Sequence, residues 1–149
     1  MQQIEETTGF QIIQVSKAHR QSAEKALCAL GLHAGQEIIL LQLWIEEGLT
    51  QSCLAEHAGV EPSTMTQMLH RMERCGLVER RQDAADGRIS RVYLTEHGKA
   101  LEKPVLQIWQ QLEERTLAGL SAVERALLRR LLMQVHLNLS CRTRGDAGL

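Results

Sequence analysis

Aromatic side chains make up only 3% of this 149-residue chain: two Trp, one Tyr and one Phe. A core must therefore be built from Leu, Ile, Val, Met and Ala. Proline occurs twice, and with eleven Gly this leaves little room for a turn-rich all-β sandwich. No apolar run approaches the ~20 residues of a membrane span; the longest, Ile38 to Trp44, is interrupted by Gln42. No basic segment followed by an apolar stretch and a small-residue cleavage site opens the chain. A cytoplasmic location with no membrane partner is expected. No C-x-x-C pair occurs among Cys28, Cys53, Cys75 and Cys141, so reduced thiols are expected rather than a disulfide framework. Cys28 and His33, or His136 and Cys141, stand five apart, which puts neither pair on one helical face, and no metal site is expected. A Gly-rich phosphate loop, a recognisable Ser/His/Asp set and a distinctive carboxylate pair are all missing. Catalysis and a cofactor are not expected.

Net charge is nearly absent too, at −1, which argues against a non-specific nucleic-acid coat. Its distribution is uneven. Residues 1–61 carry three bases against eight acids, whereas 62–91 carry six arginines (71, 74, 80, 81, 88 and 91) against four acids. Residues 92–149 carry eight bases against six acids. A neutral protein with a local arginine cluster is able to bind a polyanion on one face.

Ile4 to Leu30 follows loose helical spacing and is closed by Gly31. Residues 35–46 are apolar almost all round, which predicts a buried helix ending before Gly48. Thr50 is placed to cap a short helix over 51–57 that stops at Gly59. Pro62 then stands in the first turn of a helix to Cys75, with Met65, Met68, Leu69 and Met72 on one face and Gly76 as terminator. Residues 77–81 and 90–94 are strand-like runs joined by a turn containing Asp83, Asp86 and Gly87, a hairpin. Thr95 caps a helix with a Leu101, Val105, Ile108 and Leu112 stripe, in which Pro104 is expected to cause a kink. Ser121 to Glu124 is a capping box opening the last helix, rich in Leu. The tail after Leu139 is short and polar.

A short helix, a turn at Gly59, a second helix and a hairpin form a winged helix-turn-helix. A helix that reads DNA must offer small and hydrogen-bonding side chains toward the major groove. Ser63, Thr64, Thr66, Gln67, His70 and Arg71 all lie off the Met65–Leu69–Met72 stripe. Arg74 and Arg91 add positive charge beside them. Arg88, next to Gly87 at the hairpin tip, suits insertion into a minor groove. Polar residues on a helix are ordinarily only a solvated face; the flanking wing and the arginine cluster favour DNA.

The stretch 49–101, LTQSCLAEHAGVEPSTMTQMLHRMERCGLVERRQDAADGRISRVYLTEHGKAL, resembles the core of the MarR family of bacterial transcriptional regulators. The matching pieces are Leu54-Ala55, Ser63-Thr64-Met65-Thr66, Arg71-Met72-Glu73, Gly76-Leu77-Val78 and Arg80. They continue in Asp83, Asp86-x-Arg88 and Val92-x-Leu94-Thr95-x-x-Gly98. The resemblance implies a mostly α, α+β fold: a winged helix-turn-helix over 35–95 and a helical dimerisation region formed by 1–34 and 96–149. It implies a homodimer on double-stranded DNA with a pseudo-palindromic operator, acting as a repressor released by a small-molecule effector. By motif position, Arg88 corresponds to the wing-tip arginine and Asp86 to the acid that orients it. Gly87 stands where relatives often carry a further Arg. An effector cleft, by the same resemblance, draws attention to Lys17, His19, Arg20 and Trp44.

Within the second helix, Glu73 is expected to orient Arg71 or Arg74 rather than touch DNA. Arg80 and Arg81 are expected to contact the phosphate backbone or pair with Glu79. Cys53 and Cys75 lie close to the DNA-reading segment, but neither has an evident base beside it to favour the thiolate. A winged helix used only for protein contact is the rival reading, and salt-dependent DNA binding separates the two.

Overall fold

The computed structural model describes residues 4–140; Cys141 and the remainder of the polar tail lie outside the described residues. Seven α-helices and three short strands follow one another: α1 Thr8–Leu27, α2 Gln36–Ile45, β1 Leu49–Thr50, α3 Gln51–Ala58, α4 Pro62–Arg74, β2 Val78–Gln82, β3 Ser90–Leu94, α5 Glu96–Ala100, α6 Glu102–Thr116 and α7 Ala122–Ser140. Single 3-10 turns precede and follow α1. No helix among the described residues is long and apolar enough to cross a membrane.

One compact unit runs to Leu112, and a second begins at Glu113. The core of the first gathers Ala23 and Leu27 from α1, Ile39, Leu40 and Leu43 from α2, and Leu54 and Ala55 from α3. Met65, Leu69 and Met72 of α4, Val92 and Leu94 of β3, and Val105 of α6 complete it. This core runs unbroken across positions 34/35 and 95/96. Methionine and the aliphatic side chains supply it, as the scarcity of aromatics requires; Trp44 and Trp109 only border it.

The caps at Thr50 and Thr95 fall where the sequence places them, and Thr7 adds one that the sequence reading did not name. Thr7, Thr50 and Thr95 each accept a backbone N–H three residues on, at 3.1–3.2 Å. Gly31, Gly59 and Gly76 end their segments with φ of 72°, 65° and 66°, the left-handed region that costs glycine nothing. The start of α2 is polar and buried. The Glu37 carboxylate accepts from Gly35 N at 2.6 Å, and Gln36 Oε1 accepts from His33 N at 3.0 Å. Burial raises the Glu37 carboxyl above its ordinary range. Glu24 ties α1 to this turn by accepting from Ala34 N at 2.5 Å and meeting His33 Nδ1 at 2.7 Å.

Two features depart from the sequence reading. Leu49–Thr50 forms a third strand, β1, paired antiparallel with β3 (Leu49 opposite Val92), so the sheet order is β1-β3-β2. And Pro104 does not kink a long helix. The chain breaks at Leu101 instead, between α5 and α6, leaving Pro104 in the first turn of α6. A first-turn N–H has no helical partner, so proline is tolerated there.

In the second unit, the expected capping box opens α7: Glu124 Oε2 accepts from Ser121 N at 2.7 Å, and Ser121 Oγ accepts from Glu124 N at 3.4 Å. No residue of α7 is buried within the chain.

Candidate nucleic-acid interface

Helix α4 is two-faced. Met65, Leu69 and Met72 are wholly buried, each stabilising the fold by roughly 1.5–3 kcal/mol, and they fix the rotation of the helix. Ser63, Thr64, Gln67, His70, Arg71 and Arg74 are thereby turned outward, most of them well exposed. Thr66 is only half-buried: its hydroxyl donates to the Pro62 carbonyl at 3.0 Å and accepts from Gln51 Nε2. It serves the junction of α3 and α4 before it serves any ligand.

Arg80 is the hub of that junction. Strand alternation explains it, since Arg80 shares a face of β2 with buried Val78 and stands opposite buried Val92. Its guanidinium is aimed inward at α4. Nε donates to Glu73 Oε1 at 2.9 Å and Nη2 to Glu73 Oε2 at 2.6 Å. Nη1 reaches Gln51 Oε1 at 3.4 Å, and His70 Nδ1 lies 3.1 Å from Nη2. The Arg80 fork holds the Glu73 carboxyl below its usual range, and Glu73 in turn raises Arg80. Glu73 therefore orients Arg80, not Arg71 or Arg74. Arg81 points to the opposite face, pairs with Glu79 and lies 4.5 Å from the centre of the Tyr93 ring.

The wing is organised by Asp83. Its carboxylate pairs with Arg91 and accepts from Ala85 N at 2.8 Å and Asp86 N at 3.0 Å. The Arg91 hydrogen bond, followed by these two backbone donors, lowers its carboxyl to about 2. Arg91 Nη1 also donates to the Gly48 carbonyl at 2.9 Å. Expected from the sequence among the DNA-contacting residues, Arg91 is engaged here in fastening the wing to β1. Asp86 does sit beside Arg88, but its Oδ1 accepts from the Arg88 backbone N–H at 3.0 Å. It shapes the turn and leaves the guanidinium to solvent. Among the described residues no acid pairs with the side chains of Arg71, Arg74 or Arg88.

The four residues named for an effector cleft are not brought together. Lys17 and Arg20 line an open depression along α1 with Gln21, Glu24, Lys25 and Cys28. His19 instead meets Trp109, with ring centres 5.9 Å apart and planes tilted by 50°, and Trp44 Nε1 donates to the Gly98 carbonyl at 3.0 Å. Helical geometry is the reason, because His19 projects from α1 in a different direction from its neighbours. No group of three or more His, Cys, Asp or Glu among the described residues is arranged to hold a metal ion. Cys28 and Cys75 are exposed thiols. Cys53 does have a base beside it, contrary to the sequence reading: His57 Nδ1 lies 3.9 Å from its Sγ, one turn along α3.

The MarR family model matches residues 32–90. The chain is 32% identical over 124 residues to the HTH-type transcriptional repressor Rv2887 of Mycobacterium tuberculosis, covering 83% of this chain and 89% of that protein. It is 38% identical over 88 residues to the transcriptional regulator HosA of Escherichia coli, covering 59% and 65%. Among solved structures, the transcriptional regulator SlyA superposes with a TM-score of 0.83 at 28% identity, over 90% of this chain and 95% of that one. A cysteine-to-serine mutant of Escherichia coli MarR complexed with operator DNA gives 0.83 at 28% identity, over 91% and 99%.

Proposed function

The chain belongs to the MarR family of transcriptional regulators, and from that premise we propose that it is a repressor that binds a pseudo-palindromic operator as a homodimer, in the cytoplasm. The observation that carries the reading is the outward row Ser63, Thr64, Gln67, His70, Arg71 and Arg74, held over the Met65–Leu69–Met72 core beside a wing whose Arg88 is without an acid partner. Residues 35–95 are assigned the DNA-binding role, and 1–34 with 96–149 the dimerisation role. The likeness to a MarR mutant complexed with operator DNA supports DNA binding, and major-groove docking of α4 follows the helix-turn-helix geometry. Two such helices related by a two-fold need half-sites roughly 34–36 Å apart.

The second copy is argued from α7. Val123, Leu127, Leu131, Leu132, Met133, Leu137 and Leu139 are each 44–78% exposed on one 19-residue helix. Seven large apolar side chains exposed on one helix mark an interaction surface. In the other unit Ile13 and Val15 of α1 are also exposed.

Control is assigned to a small-molecule effector that binds the DNA-incompetent state more tightly than the competent one. Lys17 and Arg20, which share one depression, offer two cations to an anionic group on that ligand.

The test is retention of pooled genomic duplexes across a salt titration. The binding constant is expected to fall linearly with salt in log–log form, because arginine–phosphate contacts displace condensed counterions on binding. No retention at low ionic strength overturns the reading.

A further inference from the structure

We infer that Arg80 fixes the ring proton of His70 on Nε2, so that α4 presents a hydrogen-bond donor that reads guanine on the major-groove edge. The inference rests on the DNA-binding reading above and adds to it a base identity and the residue that sets it.

A guanidinium carries N–H donors and no acceptor. Arg80 Nη2 has two hydrogens: one serves Glu73 Oε2 at 2.6 Å, and His70 Nδ1 lies 3.1 Å from the same nitrogen. Only a bare Nδ1 lone pair accepts there. The ring proton is therefore on Nε2. Glu73 does not compete for Nδ1, because its Oε2 is 3.7 Å away and its two oxygens already accept from Arg80 Nε and Nη2.

The His70 side chain is 61% exposed, and Nε2 has no hydrogen-bond partner among the described residues. His70 follows Ser63, Thr66 and Gln67 at helical spacing, on the outward side of a helix whose inward side is fixed by three buried residues. A single N–H in a major groove discriminates by what it meets. Cytosine offers an amino donor there, and adenine sets one beside its N7. Thymine shows a single acceptor, O4, crowded by its methyl group, whereas guanine shows two adjacent acceptors, N7 and O6. Arg80 is thus a positioning residue: it touches no base and decides which hydrogen-bonding sense His70 shows.

The experiment has two arms on the full-length chain. A two-bond nitrogen–proton correlation spectrum of the labelled protein is expected to give the Nε2–H pattern for His70 in wild type, and the Nδ1–H form is expected to appear in Arg80→Met. Selection from random duplexes, at fixed salt, is expected to show a guanine preference at one position per half-site in wild type. In His70→Ala that preference is expected to fall about tenfold, the ~1.4 kcal/mol of one lost base contact. The Nδ1–H pattern in wild type overturns the inference, even if Arg80→Met does not fold. So does an unaltered guanine preference in His70→Ala. If wild type retains no duplex at all, the DNA-binding reading falls with it, whereas retained DNA with an unaltered preference removes this inference alone.

Discussion

Arg91 and Asp83 close the neck of the wing: their side chains pair where β2 and β3 open into the connecting loop, and Arg91 Nη1 carries the link on to the Gly48 carbonyl at 2.9 Å. The pair sits eight residues apart around a loop that holds Asp86 and Arg88. Its job is to give an exposed loop a defined root. Two further N–H groups, from Ala85 and Asp86, converge on the same carboxylate, so the turn is organised around one ionised side chain.

Asp83 then has a pH signature. Its carboxyl lies at about 2 in the folded chain, against ~3.9 for an unfolded aspartate. A lowered folded-state value contributes stability that is complete above the unfolded value and is lost as pH falls through the folded one. Asp83→Asn is expected to be less stable than wild type above pH ~4. The gap should narrow between ~3.9 and about 2. Urea midpoints measured from pH 6 to pH 3 check this. A gap that does not change with pH means the ion pair and its N–H donors are not its source.

Arg88 is expected to separate binding from stability. Its guanidinium is exposed and without an acid partner, so Arg88→Ala removes nothing the fold uses. A lost minor-groove arginine weakens DNA binding by about 1–3 kcal/mol and reduces the salt slope by about one. Arg91→Ala, by contrast, is expected to lower the melting temperature as well, because Arg91 fastens the hairpin to the segment leading into β1. Duplex titrations at three salt concentrations, alongside thermal melts of both variants, distinguish the two roles. Matched affinities of Arg88→Ala and wild type would take the wing tip out of the interface.

Helix α4 is legible from the sequence because its signals are local: Pro62 at the start, a 3.6-residue methionine and leucine stripe, and Gly76 at the end. The polar face follows from that stripe by subtraction. The Arg80 cluster leaves no such local trace, because it joins residues 7, 10 and 29 positions apart on three elements. Yet the sequence holds one clue: Arg80 stands two residues after Val78, and alternation along a strand puts both on one face. β1 is two residues long, too short to leave a periodic trace. Cys53 and His57 are four apart on one helix, a spacing that does announce contact. The Trp44 bond to Gly98 spans 54 positions, and no local pattern encodes it.

Gly98 shows how tightly the helical and wing segments meet. A Cβ added there would lie 2.2 Å from the Leu77 carbonyl oxygen and 3.1 Å from Leu94 Cδ2. The first of these is backbone, which cannot swing aside as a side chain tip does. Gly98→Ala is expected to cost about 1–3 kcal/mol or more through overpacking, which is roughly a 3–10 °C fall in melting temperature for a chain of this size. Differential scanning calorimetry provides the measurement, and a melt within about 1 °C of wild type (by the same scaling, well under ~1 kcal/mol) would show that α5 shifts freely to make room.

The exposed leucines of α7 make the last prediction, on assembly. A helix with no residue buried in its own chain gains little from intrachain packing, and most helical stability in proteins comes from packing an apolar face. A second copy supplies that packing. Leu127 and Leu131 are four apart and 49% and 44% exposed, so they stand on one face and are the pair to charge. Wild type is expected to sediment as a dimer at micromolar concentration. Leu127→Glu with Leu131→Glu is expected to sediment as a monomer, since four carboxylates in one two-fold interface would need desolvation without partners. Helicity measured on the same samples should fall in the monomer, because α7 then has no apolar partner. Retention of unrelated duplex should weaken in step, as two α4 helices on one DNA hold it better than one. A variant that stays dimeric would place the interface elsewhere, and a wild type that sediments as a monomer would remove the two-fold from the proposed operator.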